Sequence, residues 1–308
     1  MNKRKRAERV LVTGGAGFIA SLVVDRLVAE GCEVSVLDNL SRGNVGNIKA
    51  HVEEGKVSLA KGDIRDIRTV SRLARRIDAI VHEAGLVNVG TSLDKPVLVN
   101  DVNVGGTLNL LDAARRSQVK RFVFASSCAV YGEAKRVPIP ENAELLPVSP
   151  YGASKLAAET YCLAFHRAYG LDTVCLRYFN VFGPRQSLGQ YTSVIDQFIT
   201  DLARGRRPTV FGDGQQTRDF VNVANVATAT IQVLRARGIA GEVFNVGTGK
   251  ATSVISLLRK VQAIASVGFL RPKHRTAKPG EIRRSVADIT KAREKLGHRP
   301  TTNPQRDV

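Results

Sequence analysis

Residues 9–20 read RVLVTGGAGFIA, and this stretch decides the fold. Its first five residues form an apolar run typical of a short buried strand, and an amphipathic helix is predicted to begin just after the glycines. Gly14 permits the tight turn between the two elements, and Gly17 lets the backbone approach a pyrophosphate because it carries no side chain. Ala20 replaces a third glycine, which allows the helix to pack closely on the strand. The N–H groups that open such a helix favour a bound phosphate.

Three further strands are predicted after this helix. Residues 33–37 form the second strand, which ends at Asp38, 21 residues after Gly17. A carboxylate at this distance typically binds the adenosine ribose hydroxyls and favours NAD over NADP, because it repels a 2′-phosphate; the alternative is an Asp that only caps the strand. The third strand ends near Asp63, which is placed to accept the adenine amino group. His82 closes the fourth strand and is interpreted as a packed residue rather than a catalyst.

A second group of residues predicts a catalytic site: Ser126-Ser127, then Tyr151, and Lys155 four residues later. Residues i and i+4 of a helix lie side by side. A tyrosine hydroxyl ordinarily has a pKa of about 10, and a neighbouring ammonium lowers that pKa. Bringing it to about 7 requires roughly 4 kcal/mol, after which the phenolate acts as a base and a serine hydroxyl relays the proton. The alternative for this spacing alone is an exposed helix face, and the other motifs favour catalysis.

Composition limits the class of protein. The 308 residues are 43% apolar, which suits one large or two modest domains. No window approaches the roughly 18 uninterrupted apolar residues of a membrane span, and the basic N-terminus lacks the long apolar region of a signal peptide. We therefore expect a cytoplasmic protein. The four cysteines show no metal-binding spacing, so they are predicted to be reduced thiols and no metal site is expected.

The net charge is +18, and the arginines and lysines are scattered along the chain rather than collected in a tail. Basic clefts attract anionic substrates, and most of the remaining charge is interpreted as a solvated surface. Nucleic-acid binding is the alternative, but the sequence contains no zinc module, no aromatic RNP pattern and no basic dimerisation helix. Neither nucleic acids nor membranes are therefore expected as partners.

Motifs that follow one another along nearly the whole chain resemble the extended short-chain dehydrogenase/reductase family, and within it the NAD-dependent epimerases and dehydratases of nucleotide sugars. They are TGGAGFI (13–19), DNLS (38–41), GDIRD (62–66), HEAGLVNVG (82–90), NVGGTLNLL (103–111), SSCAVYG (126–132), SPYGASK (149–155), RYFNVFGPRQ (177–186), FGDGQQTRDFVNV (211–223) and FNVGTG (244–249).

The resemblance implies an α/β fold: a Rossmann doubly wound parallel sheet with a smaller, interleaved C-terminal substrate domain. The NAD-binding domain is expected over 1–178 with a return segment at about 218–248. The nucleotide-sugar domain is expected over 179–217 and 249–308. A homodimer through helices near 103–117 and 151–169 is also implied.

The same resemblance assigns roles to individual residues. The catalytic residues are Ser127, which bonds the sugar hydroxyl, Tyr151, the base, and Lys155, which binds the nicotinamide ribose and tunes Tyr151. The residues expected to bind NAD are Gly14, Gly17, Phe18, Ile19, Asp38, Asn39, Ser41, Gly43, Asp63, Ile64, Ala84, Asn103, Ser126, Tyr151, Lys155 and Tyr178. Those expected to bind the UDP-sugar are Ser127, Asn180, Phe211, Arg218, Lys278 and Ser285. For Arg218 and Phe211 the alternative is an ordinary ion pair and a core aromatic.

The residues after Ser127 select among the reactions of this family. A 4,6-dehydratase carries Asp-Glu there, and a UDP-glucuronate decarboxylase keeps a Glu at the second position; this chain has Cys128-Ala129, neither of which moves a proton at sugar carbon 5. The resemblance therefore implies 4-epimerisation of UDP-glucose and UDP-galactose through a transient 4-keto sugar, with NAD regenerated in each turnover. The alternatives are a nucleotide-sugar ketoreductase, a UDP-glucuronate 4-epimerase, and a non-catalytic NAD- or nucleic-acid-binding relative.

Two residues refine the substrate prediction. Ser285 stands where relatives restricted to UDP-glucose and UDP-galactose carry a bulky Tyr, so UDP-GlcNAc and UDP-GalNAc are expected to be accepted as well. Lys278, in Lys278-Pro279-Gly280-Glu281, replaces the Arg of an Arg-x-Gly-Asp motif. Because Lys is a point charge without the bidentate fork of a guanidinium, we expect weaker diphosphate binding there.

Overall fold

The computed structural model describes residues 7–186, 193–268, 270–277 and 282–301. In chain order its strands are β1 (Arg9–Thr13), β2 (Glu33–Asp38), β3 (Val57–Lys61), β4 (Ala79–His82), β5 (Arg121–Ser127), β6 (Thr173–Tyr178), β7 (Asn180–Phe182), β8 (Thr209–Phe211), β9 (Thr217–Arg218), β10 (Phe220–Asn222), β11 (Glu242–Val246), β12 (Thr252–Ser253), β13 (Lys273–Arg275) and β14 (Arg284–Ser285). The α-helices are α1 (Phe18–Ala29), α2 (Lys49–Glu53), α3 (Ile67–Ala74), α4 (Val89–Asp94), α5 (Pro96–Asn100), α6 (Gly106–Arg116), α7 (Pro150–Tyr169), α8 (Val194–Ala203), α9 (Val223–Arg235), α10 (Val254–Ile264) and α11 (Thr290–Leu296).

Seven of these strands form one parallel sheet in the order β3-β2-β1-β4-β5-β6-β11. The order reverses at β1, which has β2 on one side and β4 on the other. In an open parallel sheet, the carboxyl ends of the strands at such a reversal form the ligand crevice. The predicted doubly wound parallel sheet is thereby confirmed.

Helices cover both faces of the large sheet. One apolar core lies under α1 and α9, and the other lies under α3, α6 and α7. Every residue of β4 and β6 is buried. Strands that are buried on both faces read as continuous apolar runs rather than alternating ones, as the Ala79-Ile80-Val81 run of β4 does.

The chain leaves the large sheet after β6 and comes back to it. Within the return segment predicted at about 218–248, α9 packs against α1 and β11 pairs with β6 in parallel. Short strands outside the large sheet, which lie both before and after β11 in the chain, form separate small sheets: β7 with β10, β8 with β13, and β9 between β12 and β14. The helices α8 and α10 pack on each other over a third apolar core that includes Phe198 and Leu258.

The ends of α7 are specified locally, and this helix carries Tyr151 and Lys155. The Ser149 side chain accepts a hydrogen bond from Gly152 N at 3.1 Å, and Pro150 occupies the first helical position, where its missing N–H costs nothing. Gly170 ends the helix in the left-handed conformation with φ of 69°, which glycine adopts without a steric penalty. Tyr151 therefore lies in the first turn, at the carboxyl edge of the sheet.

A buried ion pair fixes α7 against the sheet. Arg177 of β6 and Glu159 of α7 approach to 2.5 Å with side chains 3% and 2% exposed. Ser126 of β5 donates to the same Glu159 carboxylate at 2.6 Å. Arg177 also donates to Tyr131 Oη at 2.8 Å, and Tyr131 donates to Asn245 of β11 at 2.7 Å. The network joins three neighbouring strands of the sheet to the helix above them.

We expect Glu159→Gln to lower the free energy of unfolding by about 3–5 kcal/mol, because it leaves the Arg177 guanidinium buried without its counter-charge. The measurement is urea denaturation followed by far-UV circular dichroism. The matched control is Glu53→Gln, which removes one partner of the solvent-exposed Lys49–Glu53 pair and should change the free energy by less than about 1 kcal/mol. Equal effects in the two variants would contradict the importance of the buried pair.

Candidate active site

The loop between β1 and α1 forms a cradle of backbone atoms. Gly14 has φ of 71°, and a Cβ there would lie 2.9 Å from the Ala84 backbone. A Cβ on Gly17 would lie 2.9 Å from Gly14 O. Gly17 is also the N-cap of α1 and has no side chain to occupy the first N–H groups, which belong to Phe18 and Ile19 and their neighbours. Both the space and the donors fit a dinucleotide pyrophosphate.

Asp38 lies at the carboxyl end of β2, beside this cradle. Its side chain is buried, and it accepts hydrogen bonds from Ala16 N at 3.0 Å and Leu40 N at 2.8 Å. A Cβ on Gly43 would approach the carboxylate to 2.7 Å, so the chain passes close over it. The bonds hold the carboxylate at the edge of the cradle, and each oxygen keeps lone pairs for further donors. This geometry fits the ribose hydroxyls of NAD.

Asp63 lies next to Asp38, just beyond β3. Asn39 donates to its carboxylate at 3.0 Å, and Ser41 N donates to Asn39 Oδ1 at 3.0 Å. Arg65, which the sequence analysis did not select, donates to both carboxylate oxygens and holds the pKa of Asp63 well below its usual range. Ile64 is buried beneath Gly106 of α6, where a Cβ would approach it to 2.5 Å. These residues make up the wall expected to face the adenine.

Asn103 connects the loop after β4 to α7. It lies in a π-helical turn over 101–105, between α5 and α6. Its side chain accepts from Leu86 N at 2.7 Å and donates to Leu86 O and Ser154 Oγ, both at 2.9 Å. The loop residues Ala84 and Gly85 are therefore held beside Lys155. Such π-helical turns occur frequently at functional sites.

Lys155 lies in the interior at the carboxyl edge of β5. Its side chain donates to Ala125 O at 2.8 Å and lies 5.0 Å from the centre of the Phe124 ring. Burial lowers the pKa of Lys155 to about 8, and the charge of Glu83 acts in the opposite direction. The residue is thus close to the balance between its ammonium and amine forms at neutral pH.

Tyr151 is 9% exposed. Burial raises the pKa of Tyr151 to about 12, and the nearby Ser127 side chain only partly offsets this effect. The Lys155 ammonium is bound to Ala125 O and is not among the groups that shift this pKa in the protein by itself. That Lys155 lowers the pKa of Tyr151 therefore stays a prediction. Ser126, the residue before Ser127, donates instead to Glu159 of α7 at 2.6 Å.

His82 is enclosed and neutral. Its two ring nitrogens contact Thr13 Oγ1 at 2.7 Å and Thr107 Oγ1 at 2.9 Å, and the side chain is 1% exposed. Burial lowers the pKa of His82 to about 3, with a smaller contribution from the Lys155 charge. The structure agrees with the interpretation of His82 as a packed residue at a strand end.

A cavity of about 250 Å³ lies among the short strands β7 to β10 and the start of α8, and it is lined by three of the residues expected to bind the UDP-sugar, Asn180, Phe211 and Arg218. Asn180 Oδ1 is buried and has no hydrogen-bond partner among the described residues. An acceptor enclosed in this way costs free energy unless a donor reaches it. The cavity therefore fits a polar ligand, while Lys278 lies outside the described residues.

Ser285 links this cavity to the catalytic side chains. It pairs with Arg218 between β14 and β9, and it is 6% exposed. Its side chain lies near the Cys128 thiol, which follows Ser127 directly, and lowers the pKa of that thiol slightly. Burial raises the pKa of Cys128 to about 11, so the thiol is neutral at physiological pH and does not transfer protons as a thiolate.

The sequence analysis missed two carboxyl groups, the buried Asp219 and the half-buried Glu83. Asp219 is fully buried and accepts hydrogen bonds from Thr248 N at 2.8 Å, Gly249 N at 2.9 Å and Ala287 N at 3.2 Å. It thereby ties Arg218 and Ser285 to the loop after β11. Glu83 accepts from Tyr178 Oη at 2.6 Å. The sequence feature that could have identified them is an acidic residue next to small or apolar residues within a motif, as in HEAG (82–85) and RDFV (218–221).

Comparison with known proteins places the chain in a family. The model of the NAD dependent epimerase/dehydratase family matches residues 10–247. A putative UDP-glucose 4-epimerase of Methanocaldococcus jannaschii is 41% identical over 94% of this chain and 93% of its own length. The chain therefore belongs to the NAD dependent epimerase/dehydratase family, which confirms the resemblance and the expectation of NAD as cofactor.

Two solved structures are similar over their full lengths. The crystal structure of a UDP-glucose 4-epimerase from Thermotoga maritima with UDP-glucose has a TM-score of 0.91 and 36% identity, covering 97% of this chain and 96% of that one. A UDP-N-acetylglucosamine 4-epimerase from Methanobrevibacter ruminantium, in complex with UDP-N-acetylmuramic acid, has a TM-score of 0.92 and 34% identity, covering 98% and 97%.

Among the described residues, none of the helices combines the length and apolar character required to cross a membrane. Within the same ranges, no group of three or more His, Cys, Asp or Glu side chains is arranged to hold a metal ion.

Proposed function

We propose that this chain is an NAD-dependent 4-epimerase of UDP-hexoses, acting on UDP-glucose and UDP-galactose and also on UDP-GlcNAc and UDP-GalNAc. The observation that carries the proposal is the proximity of the Ser127 and Tyr151 side chains, beside the neutral Cys128 thiol. The names of similar proteins support the substrate class, since they include UDP-glucose and UDP-N-acetylglucosamine 4-epimerases.

The cofactor is assigned to the cradle at the carboxyl edge of the sheet. Gly14, Gly17 and the first turn of α1 hold the pyrophosphate, Asp38 holds the adenosine ribose, and Lys155 holds the nicotinamide ribose. When bound, NAD supplies a positively charged ring that takes up the hydrogen of sugar carbon 4 with two electrons and later returns it. The cavity bearing Asn180, Phe211 and Arg218 is assigned to the UDP group, with Lys278 as a further diphosphate contact.

In this proposal the residues of the chain move one proton. Tyr151 takes the proton of the sugar 4-hydroxyl and Ser127 relays it, so a 4-keto sugar forms. Because the pKa of Tyr151 is about 12 in the protein by itself, the phenolate depends on positive charge that gathers near it; Lys155 and the bound cofactor are the sources. Positive charge lowers the pKa of a nearby phenol.

The fate of the keto sugar follows from the residues around it. A dehydratase needs an acid and a base at sugar carbons 5 and 6. Here the neutral Cys128 thiol and the Ala129 methyl group stand in those places, and neither serves as that acid or base. The keto sugar would therefore turn over and receive the hydride back at carbon 4 on its other face, while Tyr151 returns the proton to oxygen 4, and the product is the 4-epimer.

We further propose that the enzyme is a homodimer. Large apolar side chains are exposed on α4, α5 and α7, which contact one another; they include Leu93 (64% exposed), Val97 (81%) and Tyr161 (42%). Contiguous exposed apolar surface is typical of a protein interface.

The four cysteines are unpaired, which supports the proposed cytoplasmic location. The packing of α9 and β11 on the large sheet supports an NAD-binding domain over 1–178 with a return segment at about 218–248.

The reaction is tested with Tyr151→Phe, which removes only the hydroxyl. Purified protein is incubated with UDP-galactose without added coenzyme, and the product is followed by NMR. We expect kcat to fall on the order of 10³-fold, as for loss of a general base, while the NAD released on denaturation stays near one per chain. The control is Tyr169→Phe at the exposed end of α7, and we expect it to keep wild-type turnover. Substantial turnover by Tyr151→Phe would refute the assignment of the base.

The width of the sugar pocket is tested with Ser285→Tyr. We expect conversion of UDP-GalNAc to fall by about tenfold or more, because the phenol fills the space of the N-acetyl group, with UDP-galactose conversion largely retained. Ser285→Ala removes the hydroxyl group without adding bulk, and this variant should convert both UDP-galactose and UDP-GalNAc as the wild type does. If Ser285→Tyr leaves UDP-GalNAc conversion unchanged, Ser285 does not limit the size of the sugar.

The dimer is tested by light scattering, and we expect twice the mass of the chain at micromolar concentration. Val97→Lys places a charge in the exposed apolar patch and should halve that mass, since burial of an unpaired charge is unfavourable. Val267→Lys, at a partly exposed position outside these helices, serves as control. A wild-type monomer would contradict the proposal.

A further inference from the structure

Glu83 lies at the centre of the site without a role in the proton transfer described above. It directly follows β4, and its carboxylate accepts a hydrogen bond from Tyr178 Oη of β6 at 2.6 Å. Between β4 and β6 runs β5, whose Ala125 carbonyl binds Lys155 at 2.8 Å. The Glu83 side chain therefore reaches across the end of the strand on which the catalytic lysine is held.

The surroundings of Glu83 leave Lys155 as its cationic neighbour. From β6 it meets the neutral Tyr178 hydroxyl, which also contacts Thr230 Oγ1 of α9 at 3.1 Å. His82, the last residue of β4, precedes Glu83 and is neutral. The charge of Lys155, on α7, lowers the pKa of Glu83.

The surroundings of Lys155 are equally limited. Among the described residues, no carboxylate oxygen lies within 4 Å of its ammonium. Two groups raise the pKa of Lys155: the Glu83 carboxylate, which has the larger effect, and the Cys162 thiol. Glu83 is thus the carboxylate that balances the buried lysine, through space rather than through a direct bond.

We propose that Glu83 is a positioning residue for the reaction: its carboxylate maintains the ammonium form of Lys155 and at the same time fixes the Tyr178 hydroxyl, so that it sets the pH range of turnover. This inference rests on the proposed epimerase function. It adds a residue that touches neither the sugar nor the proton in transit.

The pH dependence follows from the two groups together. Burial raises the pKa of Glu83 to about 7, and burial lowers the pKa of Lys155 to about 8. Between these values the carboxylate and the ammonium coexist. As the pH rises beyond this window, Lys155 loses its proton, and its charge no longer favours the Tyr151 phenolate.

The test compares Glu83→Gln with Glu83→Met. Gln keeps an oxygen that accepts from Tyr178 Oη but removes the charge, whereas Met removes both. In each variant we expect the alkaline limb of the kcat profile for UDP-galactose to move to lower pH by about one unit, because Lys155 loses its counter-charge. KM should change less than about twofold. Glu83→Gln should retain NAD as the wild type does, and Glu83→Met should release it more readily. Glu53→Gln, an exposed control on α2, should leave the profile unchanged.

A second readout does not depend on activity. The pKa of Glu83 is higher in the folded protein than its ordinary value, so its protonated form stabilises the fold at low pH, and this contribution is lost as the pH rises through about 7. The melting temperature of Glu83→Gln relative to the wild type should therefore rise between pH 5 and pH 8. An unchanged difference would show that Glu83 does not titrate in this range.

The outcomes separate the two proposals. An alkaline limb that stays in place in both variants would overturn the role of Glu83, even if the variants are less active or less stable. Rescue of the wild-type profile by Gln, but not by Met, would also overturn it, because the hydrogen bond alone would then suffice. If the wild type itself binds NAD but converts no UDP-hexose, the epimerase function fails, while the melting comparison still tests the titration of Glu83.

Discussion

Arg177 and Glu159 form an ion pair in the interior of the protein, and the geometry of the site depends on it. Both side chains are almost completely withdrawn from water, so neither charge is tolerated without the other. Glu159 binds Ser126 and Arg177 binds Tyr131, which joins β5, β6 and α7. Ser127 is the next residue along β5, and Tyr151 lies two turns before Glu159 on α7. The pair therefore sets the distance between the hydroxyls that meet at the sheet edge.

The centre of the site holds few groups that change charge near neutral pH. His82 and Cys128 are kept neutral by burial, with pKa values of about 3 and 11. Tyr151 is likewise protonated in the protein by itself. Lys155 and Glu83 remain, and they are of opposite sign. Although the chain has a net charge of +18, the site of proton transfer contains one cationic and one anionic group, Lys155 and Glu83. The other lysines and arginines that produce the net charge lie elsewhere.

The sequence predicts the large sheet well because its information is local. The run at 9–13, the glycines at 14 and 17 and the carboxylate of Asp38 each have a short-range signature, and the structure contains the corresponding strand, turn and strand end. The catalytic side chains are equally readable from their helical spacing. The strands β7 to β10 and β12 to β14 have two or three residues each, too few for a periodic pattern.

Properties that depend on distant parts of the chain were not predictable in this way. The carboxylate of Asp219 is satisfied by residues 29 to 68 positions away, and nothing in its local sequence specifies those partners. The pKa of Tyr151 depends on how deeply the hydroxyl is enclosed, which neighbours in sequence do not determine. Glu83 was passed over for the same reason, since its partners Tyr178 and Lys155 lie on other elements.

The return of the chain to the large sheet also affects how it is made. β11 begins 64 residues after β6 ends, so during synthesis β6 emerges long before the strand that will pair with it. Until then its apolar residues Val174, Cys175 and Leu176 form an open edge, and open apolar edges readily pair with other chains. The nascent polypeptide therefore passes through an interval in which it is vulnerable to aggregation, and the interval closes only when residues 242–246 dock.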